Sequence, residues 1–397
     1  KLIWGDNKLI LSSLANGPLR EEIEKEGGLK LIYIDPPFAV GADFGFNIEI
    51  GGETAEKKQS IIEEIAYRDT WGKGISSYLT MMYERLKLMH NLLAEDGSIY
   101  VHCDWRVVSH LKVILDDIFG VNNFVREILW NRGNPSGGKA SAQNWIHSHD
   151  NILYYSRDKN KKLFNKLYEP YTQEYINQRF VHNDNDGNGS YRLQGNDNRK
   201  QYLKDSKGKA YTSVWDLPDI NVMAIEKIGY PTQKPESLLE RIIKASSNEG
   251  DLIADFFCGS GTTAAVAEKL GRKWITTDLG RFSVHTTRKR MIGVQRELQE
   301  NGKDFRAFEI LNLGKYERQF FMDDLTNGKL KAKEDLYVDL ILEAYKAKRI
   351  EGHKTLHGSK AGRFINVGPL DVPVTQSRLL DIFEECRQKL YTQVDVL

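Results

Sequence analysis

Cysteine is scarce in this chain. Cys103, Cys258 and Cys386 are the three cysteines among 397 residues. Because they are odd in number and far apart, they exclude a disulfide framework and a cysteine-rich zinc module. No apolar run approaches the roughly 18 residues that would span a bilayer, so the sequence predicts no membrane segment. The first residues also lack the pattern of a secretory signal or transit peptide, and we expect a cytoplasmic protein.

An excess of either charge is also absent. Lys and Arg number 56 against 55 Asp and Glu, a formal net charge of +1, so the total charge gives no argument for a nucleic-acid partner. The distribution along the chain is more informative. From Arg126 to Lys166 there are eight basic and three acidic residues, and from Arg192 to Lys209 six basic and two acidic ones. The middle of the chain is therefore locally basic.

Hydrophobic spacing predicts alternating strands and helices on both sides of this basic region. Short apolar runs predict strands at 29–34, 98–101, 252–257 and 274–277. Helical periodicity predicts helices through 79–93, 107–118, 238–243 and 262–270. Alternation of this kind indicates an α/β fold with a mostly parallel sheet.

Two segments of the chain depart from this alternation. Residues 131–229 are rich in Gly, Asn, Ser, Tyr and Lys, which predicts an inserted, loop-rich region with one strand at 152–155. The last residues, 323–397, predict a small separate unit with helices at 336–345 and near 379–386. The predicted organisation therefore has four segments, with boundaries 1–130, 131–229, 230–322 and 323–397.

A glycine turn lies between a predicted strand and a predicted helix, at Asp255–Thr263. Glycines there allow close approach of a ligand to the backbone, and the start of the helix offers unpaired N–H groups. Asp278 follows the next strand, 17 residues after Gly261, a spacing that suits a carboxylate binding ribose hydroxyls. A tight turn without a ligand is the alternative. Ala264 replaces the third glycine of the dinucleotide pattern, which disfavours NAD.

A second motif, Asp35-Pro-Pro-Phe38, ends the first of these buried strands. Two prolines restrict the backbone, so the Asp35 carboxylate and the Pro36 carbonyl can be held in set positions. Phe38 adds a flat apolar face beside these two acceptors. Recognition of an exocyclic amino group on a planar base requires such a combination, with acceptors for its two N–H bonds and a ring for stacking. A rigid turn with Phe38 in the core is the alternative.

The two motifs, in this order, resemble the amino-methyltransferases of DNA in which the catalytic motif precedes the cofactor motif. The resemblance extends from Leu2 to about Arg290, with one departure, Phe256, where the family usually has proline. It implies a Rossmann-like sheet that binds S-adenosylmethionine. Further segments that carry the resemblance are Gly5-Asp6-Asn7, Tyr67-Arg-Asp-Thr-Trp71 and Tyr230-Pro-Thr-Gln-Lys-Pro-Glu-Ser237.

The resemblance also implies site residues. In this family an Asp at the first catalytic position is typical of adenine-N6 enzymes, so Asp35 points to adenine. The implied catalytic residues are Asp35, Pro36, Pro37 and Phe38. The implied cofactor residues are Asp6 for adenine, Asp278 for ribose, Thr232, Gln233 and Lys234 for the methionine end, and Asp255, Phe257, Gly259 and Gly261 around the methionine and sulfonium.

The basic middle segment is expected to contact double-stranded DNA and to recognise the target. Its candidate DNA-binding residues are Arg126, Arg132, Lys139 and Arg192. Since the adenine amino group is buried in a duplex, we expect base flipping. The His and Cys residues form no metal-ligand set, and we expect no metal. Resemblance to type III modification subunits also raises a restriction subunit as a partner. The segment after Asp323 lies outside the catalytic pattern and raises a docking or dimerisation role, so a homodimer is a further expectation.

Four rival functions share parts of this pattern. A cytosine-N4 enzyme has the same scaffold, and an RNA or protein-amide methyltransferase would use a similar loop. A non-catalytic nucleic-acid-binding subunit would be expected to have lost the Asp or the glycines, and both are present. A nicotinamide oxidoreductase leaves Asp35-Pro-Pro-Phe38 unexplained.

Overall fold

The computed structural model describes most of the chain, and it forms two compact units, one up to Asn312 and one from Leu313 on. Among the described residues, no helix is both long enough and apolar enough to cross a membrane. The described residues are 1–37, 46–50, 53–57, 74–133, 143, 145–184, 187–221, 224, 226–230, 232–313, 335, 338–339, 341–342, 345, 347–368 and 376–396.

The first unit alternates strands with helices. Its strands are β1 (Leu2–Trp4), β2 (Leu29–Ile34), β3 (Phe46–Ile50), β4 (Glu53–Lys57), β5 (Leu93–Cys103), β6 (Phe124–Asn131), β7 (His149–Ser156), β8 (Tyr168–Glu169), β9 (Tyr191–Gln194), β10 (Arg199–Tyr202), β11 (Lys209–Ala210), β12 (Val214–Asp216), β13 (Leu252–Asp255), β14 (Lys273–Asp278) and β15 (Ile310–Asn312). Its helices are α1 (Asn7–Asn16), α2 (Leu19–Lys25), α3 (Ile75–Leu92), α4 (Val108–Phe119), α5 (Gln173–Arg179), α6 (Glu236–Ser246), α7 (Thr262–Lys269) and α8 (Arg281–Glu300).

Nine of these strands form one sheet in the order β12-β6-β7-β5-β2-β13-β14-β1-β15. Its pairs are parallel except that β7 runs antiparallel to both β5 and β6. Ile34 of β2 lies opposite Val101 of β5, and Ile3 of β1 lies opposite Thr277 of β14. As a result β1, β2, β5, β6, β13 and β14 all end at one edge, called here the carboxyl edge. Ligands of open α/β sheets bind outside this edge.

Helices cover both faces of the sheet, which explains why its central strands β2 and β13 are buried and mostly apolar. Leu31 and Tyr33 of β2 belong to a core cluster that contains the buried side chains of α6, α7 and α8. Neighbouring residues along a strand point to opposite faces, so Ile32 and Ile34 face the other side. Both are fully buried, as are the inner residues of α1, α3 and α4.

The structure changes the bounds of several predicted elements. The helix predicted through 79–93 runs from Ile75 to Leu92, and the strand predicted at 98–101 runs from Leu93 to Cys103. The region predicted as an insert also takes part in the main fold, because β7 and β12 are strands of the large sheet. A three-residue strand such as β12 is too short to show a period of two, which explains why the sequence did not indicate it.

The second unit contains a small sheet in the order β16 (Lys348–Arg349), β17 (Gly358–Lys360), β18 (Arg363–Asn366), β19 (Val394–Val396). The helix predicted near 379–386 lies within its helix α9 (Gln376–Gln388). Leu356 packs with Ile382 and Cys386 of α9 in one of its cores. The helix predicted at 336–345 lies largely outside the described residues, as does the predicted boundary at 323.

Candidate active site

Acidic side chains collect at the carboxyl edge. Asp6 follows β1, Asp35 follows β2, Asp104 follows β5, and Asp255 and Asp278 end β13 and β14. Each comes from a separate part of the sequence, and strand direction alone brings them to the same edge. The two motifs singled out in the sequence therefore lie on adjacent strand ends.

Asp35 stands between two nitrogen-bearing side chains. The Lys234 Nζ donates a hydrogen bond to its Oδ2, and the His102 Nδ1 lies 4.0 Å from its Oδ1. The Asp35 and Lys234 side chains are 18% and 14% exposed, so this ion pair is largely shielded from water. Pro36 and Pro37 follow as predicted in the loop, whereas Phe38 lies outside the described residues.

His102 is completely buried behind Asp35 and is held on several sides. Its Nδ1 lies 2.8 Å from the Tyr33 hydroxyl and its Nε2 lies 3.2 Å from the Asp150 Oδ2. The Trp130 ring meets the imidazole edge-on, at 5.5 Å between centroids. In a neutral imidazole, Nδ1 accepts from Tyr33 and the Nε2–H donates to Asp150.

Asp150 closes this buried network. Burial alone would raise the pKa of its carboxyl group, but the hydrogen bond with His102 and the positive charges of Arg132 and Lys234 hold that pKa below its ordinary value. The Arg132 guanidinium lies 3.5 Å from its other oxygen. Sequence reasoning missed Asp150, although a charged residue at the start of an apolar strand is a detectable signal.

The glycine turn orients Asp278. The backbone N–H of Gly259 donates to its Oδ2 at 2.9 Å, and that of Gly280 donates to its Oδ1 at 2.8 Å. Gly259 and Gly261 have φ angles of 49° and 74°, a region that favours glycine. A Cβ on Gly261 would lie 2.7 Å from the Thr287 side chain of α8, so Gly261 also allows α7 and α8 to pack closely.

Asp255 is buried at the end of β13. Its oxygens accept from the Thr263 hydroxyl at 2.5 Å and from the Phe257 N–H at 3.0 Å. Burial, together with the negative charges of Asp35 and Asp278, raises the pKa of this carboxyl to about 7 despite these two hydrogen bonds.

Residues 232–234 make different contacts. Lys234 reaches Asp35, and its carbonyl accepts from the Thr262 hydroxyl at 3.2 Å. Gln233 is buried and holds the preceding loop, because its amide donates to the Glu226 carbonyl at 2.6 Å. Thr232 is exposed. A contact of these residues with the methionine end of a cofactor stays a prediction.

Asp6 caps α1 and is paired with an arginine that the sequence analysis did not single out. Its Oδ1 accepts from the Lys8 N–H at 2.6 Å, and the Arg85 NH2 lies 3.1 and 3.2 Å from its two oxygens. Arg85 also donates to Asn7, whose amide donates to the Phe256 carbonyl at 2.8 Å. Asp6 is thus linked through Asn7 to the start of the glycine turn.

The predicted DNA-binding residues do not lie together. Arg132 follows β6 at the carboxyl edge, whereas Arg126 lies near the opposite end of β6, beside Tyr154. Arg192 is enclosed, because its guanidinium donates to the Tyr175 hydroxyl at 2.6 Å and to Gln201 at 2.8 Å. Lys139 lies outside the described residues. Contact of these four residues with DNA stays a prediction.

Comparison with known proteins decides the family. Residues 29–289 match the family model N6_N4_Mtase, described as DNA methylase. The chain belongs to this family. The match covers both motifs and extends from the start of β2 into α8. It confirms three predictions: the α/β fold, DNA methyltransferase as the enzyme class, and S-adenosylmethionine as the methyl donor.

Curated relatives of this DNA methylase include both type II and type III enzymes. It is 31% identical over 335 residues to the type II methyltransferase M.EcaI of Enterobacter cloacae, covering 72% of this chain and 68% of that protein. It is 26% identical to the DNA adenine methyltransferase YhdJ of Escherichia coli strain K12, covering 67% and 78%. The Mod subunit of the type III enzyme StyLTI of Salmonella typhimurium is also 26% identical, but the chain spans only 48% of its length.

Proposed function

We propose that this methylase transfers a methyl group from S-adenosylmethionine to the N6 amino group of adenine in double-stranded DNA. The observation that carries this proposal is the position of Asp35, at the carboxyl edge next to the strand that bears the glycine turn. Asp35 begins an Asp-Pro-Pro motif, and relatives of the chain include a named DNA adenine methyltransferase.

The residues at the edge fit the cofactor. Two carboxylates, Asp255 and Asp278, flank a glycine turn at the start of α7, and backbone N–H groups already orient Asp278. Asp278 is the proposed partner of the ribose hydroxyls and Asp6 that of the adenine. Asp255, Phe257, Gly259 and Gly261 are proposed to surround the methionine and sulfonium. When bound, the cofactor supplies an electrophilic methyl group.

The protein's contribution to chemistry is to hold and activate the amino group. An adenine amino group is a weak nucleophile because its lone pair is delocalised into the ring. We propose that Asp35 and the Pro36 carbonyl each accept one N–H of this group, which favours a pyramidal nitrogen. Lys234 donates to one oxygen of Asp35 and thereby fixes the direction of the other. Positioning of this kind supplies much of the rate in transfer reactions.

Reaching this site requires the target base to leave the duplex, at a cost of a few kcal/mol. Arg132 lies at the same edge as Asp35 and is proposed to contact a phosphate of the bound strand. The inserted region is proposed to contribute target recognition. A restriction subunit and a homodimer stay predictions, the first of them suggested by the type III Mod relatives.

The experiment is methyl transfer from labelled S-adenosylmethionine to unmethylated DNA, followed by digestion to nucleosides. We expect label in N6-methyladenine, and Asp35→Asn should lower the rate by about 10²–10³-fold, since the amide lacks the negative charge of the carboxylate and keeps only one of its two acceptor oxygens. Asp96→Asn is the matched control. It also removes a carboxylate paired with a lysine, Lys30, but lies near the start of β5 and should leave the rate unchanged.

The same digestion separates the rival functions. Label in N4-methylcytosine would show that the target base is cytosine rather than adenine. The proposed site would stay the same, because the name of the family model includes both activities. Absence of label from DNA, with label on RNA or protein, would overturn the proposal.

A further inference from the structure

Four planar side chains form a continuous row near Asp35. The Arg106 guanidinium lies over the Trp105 ring at 5.2 Å, and the His147 ring lies 6.0 Å from that of Trp105. The His147 and His149 rings are 4.4 Å apart. We call these four residues the planar row. None of them was assigned a catalytic, cofactor or DNA-binding role above.

Strand register places the planar row at the carboxyl edge. Cys103, the last residue of β5, lies opposite Asn151 of β7. The antiparallel direction of this pair therefore brings the residues just beyond them, Trp105 and His149, to the same side of the edge. β5 is also the direct neighbour of β2, whose end carries Asp35. The planar row thus lies beside the proposed catalytic loop.

The loop that carries Trp105 is anchored by Asp104, the preceding residue. Asp104 is buried, its Oδ1 accepts from the Arg106 N–H at 2.9 Å, and its carboxylate pairs with the Arg106 guanidinium. The Asp104 carbonyl accepts from the Val108 N–H at 3.1 Å, where α4 begins. The loop is therefore held in place while Trp105 remains 56% exposed. The exposed indole is contiguous with the Arg106 guanidinium and the His147 ring, so the loop presents a connected planar surface rather than a single exposed side chain.

The chemistry of the row selects the ligand. Its members are flat, one is the Arg106 guanidinium, and Arg132 adds a second guanidinium at the same edge. Asp104 and Asp150 pair with these two groups, whose side chains remain 41% and 38% exposed. Stacking on aromatic rings and on guanidinium planes, with cations for phosphate, is how proteins bind unpaired nucleotides. An apolar protein surface would gain little from two arginines and two imidazoles. The row is therefore complementary to a nucleobase and its phosphate.

We infer that Trp105 and the planar row bind an unpaired nucleobase of the substrate DNA, distinct from the base that is methylated. This inference rests on the proposed function, because it assumes that DNA is opened at the site. Flipping one base removes stacking from its neighbours, and Trp105 offers one of them a replacement surface. Trp105 is thus a substrate-binding residue rather than part of the methyl-transfer machinery.

Photocross-linking tests the contact directly. Duplex DNA that carries 5-iodouracil at scattered thymine positions is irradiated with the whole protein, and the cross-linked peptides are identified by mass spectrometry. We expect adducts at Trp105. Trp105→Phe should retain the cross-link at this position, and Trp105→Leu should lose it, because only the former keeps an aromatic face. Adducts confined to other residues, the fully exposed Trp145 included, would overturn the inference.

Steady-state methylation provides the second readout. We expect Trp105→Leu to raise the KM for DNA by about 5- to 150-fold, the fold-change that corresponds to the usual range for loss of one stacked base. The KM for S-adenosylmethionine should stay unchanged, and Trp105→Phe should restore most of the affinity. Phe305→Leu is the matched control, since this exposed aromatic residue precedes β15 and so lies at the opposite edge of the sheet.

The outcomes separate this inference from the proposed function. Methylation of DNA by the Trp105→Leu variant with an unchanged KM would reject a role for Trp105 and leave the methyltransferase proposal intact. If the wild-type protein methylates no DNA, the proposed function fails. Cross-linking at Trp105 then still decides whether the row binds DNA.

Discussion

At the scale of single residues, burial decides the charge of Asp255. Its carboxyl group is enclosed at the end of β13 and near two other carboxylates, Asp35 and Asp278, so its pKa rises to about 7. An unfolded chain would ionise the same group near pH 4. The protonated form is therefore favoured in the folded protein, and ionisation acts against folding. A cofactor with a positive charge nearby would favour the ionised form.

Stability should therefore depend on Asp255 between about pH 4 and 7. Below this range the carboxyl is protonated in both states. Within it the unfolded state ionises first, so the free energy of unfolding falls as pH rises and levels off above the folded pKa. Asp255→Asn removes this dependence, and the variant should gain stability relative to wild type as pH rises. Urea denaturation across this range measures the difference, and a constant difference would contradict the expectation.

At the scale of helices, a buried cluster of charges joins α6, α7 and α8 around the glycine turn. Glu236, at the start of α6, accepts from Arg290 of α8 at 2.8 Å and from Lys269 of α7 at 2.9 Å. The Arg290 side chain is only 5% exposed and also donates to the Thr262 hydroxyl at 2.9 Å. Burial opposes ionisation of Glu236, but the two cations hold the pKa of its carboxyl below the ordinary value.

Glu236→Gln should therefore destabilise the protein by about 3 kcal/mol, because it leaves the buried Arg290 without its countercharge. Glu240→Gln is the control on the same helix. Its pair with Lys244 is nearly half exposed, so the expected loss is below about 1 kcal/mol. Denaturant titration at neutral pH compares the two variants, and equal losses would refute the importance of this cluster. The pKa of Glu236 is lower in the folded protein than in the unfolded chain. Its stabilising contribution is therefore complete above the unfolded pKa and is lost as pH falls through the folded pKa.

At the scale of the whole molecule, attraction to DNA has to be local. The formal net charge is +1, so long-range attraction of a polyanion by the total charge is weak. The sequence grouped Arg126 and Arg132 in one basic region, yet the structure separates them along β6. Of these two arginines, Arg132 lies at the carboxyl edge beside Asp35 and the planar row, and Arg126 does not. If DNA is bound along this edge, the two arginines contribute differently.

Salt dependence of DNA binding distinguishes them. Arg132→Gln should weaken binding and reduce the slope of log K against log salt concentration by about 0.9, the value for one lost phosphate contact. Arg126→Gln serves as the matched variant on the same strand and should leave the slope nearly unchanged. A larger effect at Arg126 would place DNA elsewhere on the molecule and would support the grouping predicted from the sequence.

Local patterns in the sequence were sufficient for the fold class, and they singled out the two motifs that the structure brings to the carboxyl edge. The apolar run of β2, the prolines after Asp35 and the glycines after Asp255 are each contained within a few residues, and their physical meaning is local. Parallel strands share one direction, so the residues that come directly after them lie at the carboxyl edge. For this reason Asp35, Asp255 and Asp278 share this edge, and the order β2-β13-β14 places their strand ends side by side.

Tertiary structure alone decided which distant side chains meet. Lys234 and Asp35 are 199 residues apart, and the neighbour relation of β5 and β7 sets the partners of His102 and the position of the planar row. The exposure of Trp105 and the opposite ends occupied by Arg126 and Arg132 likewise depend on strand order and direction. Sequence spacing determines the direction of a side chain within its own element. The packing of elements determines its partners, because that packing is settled by burial across the whole sheet.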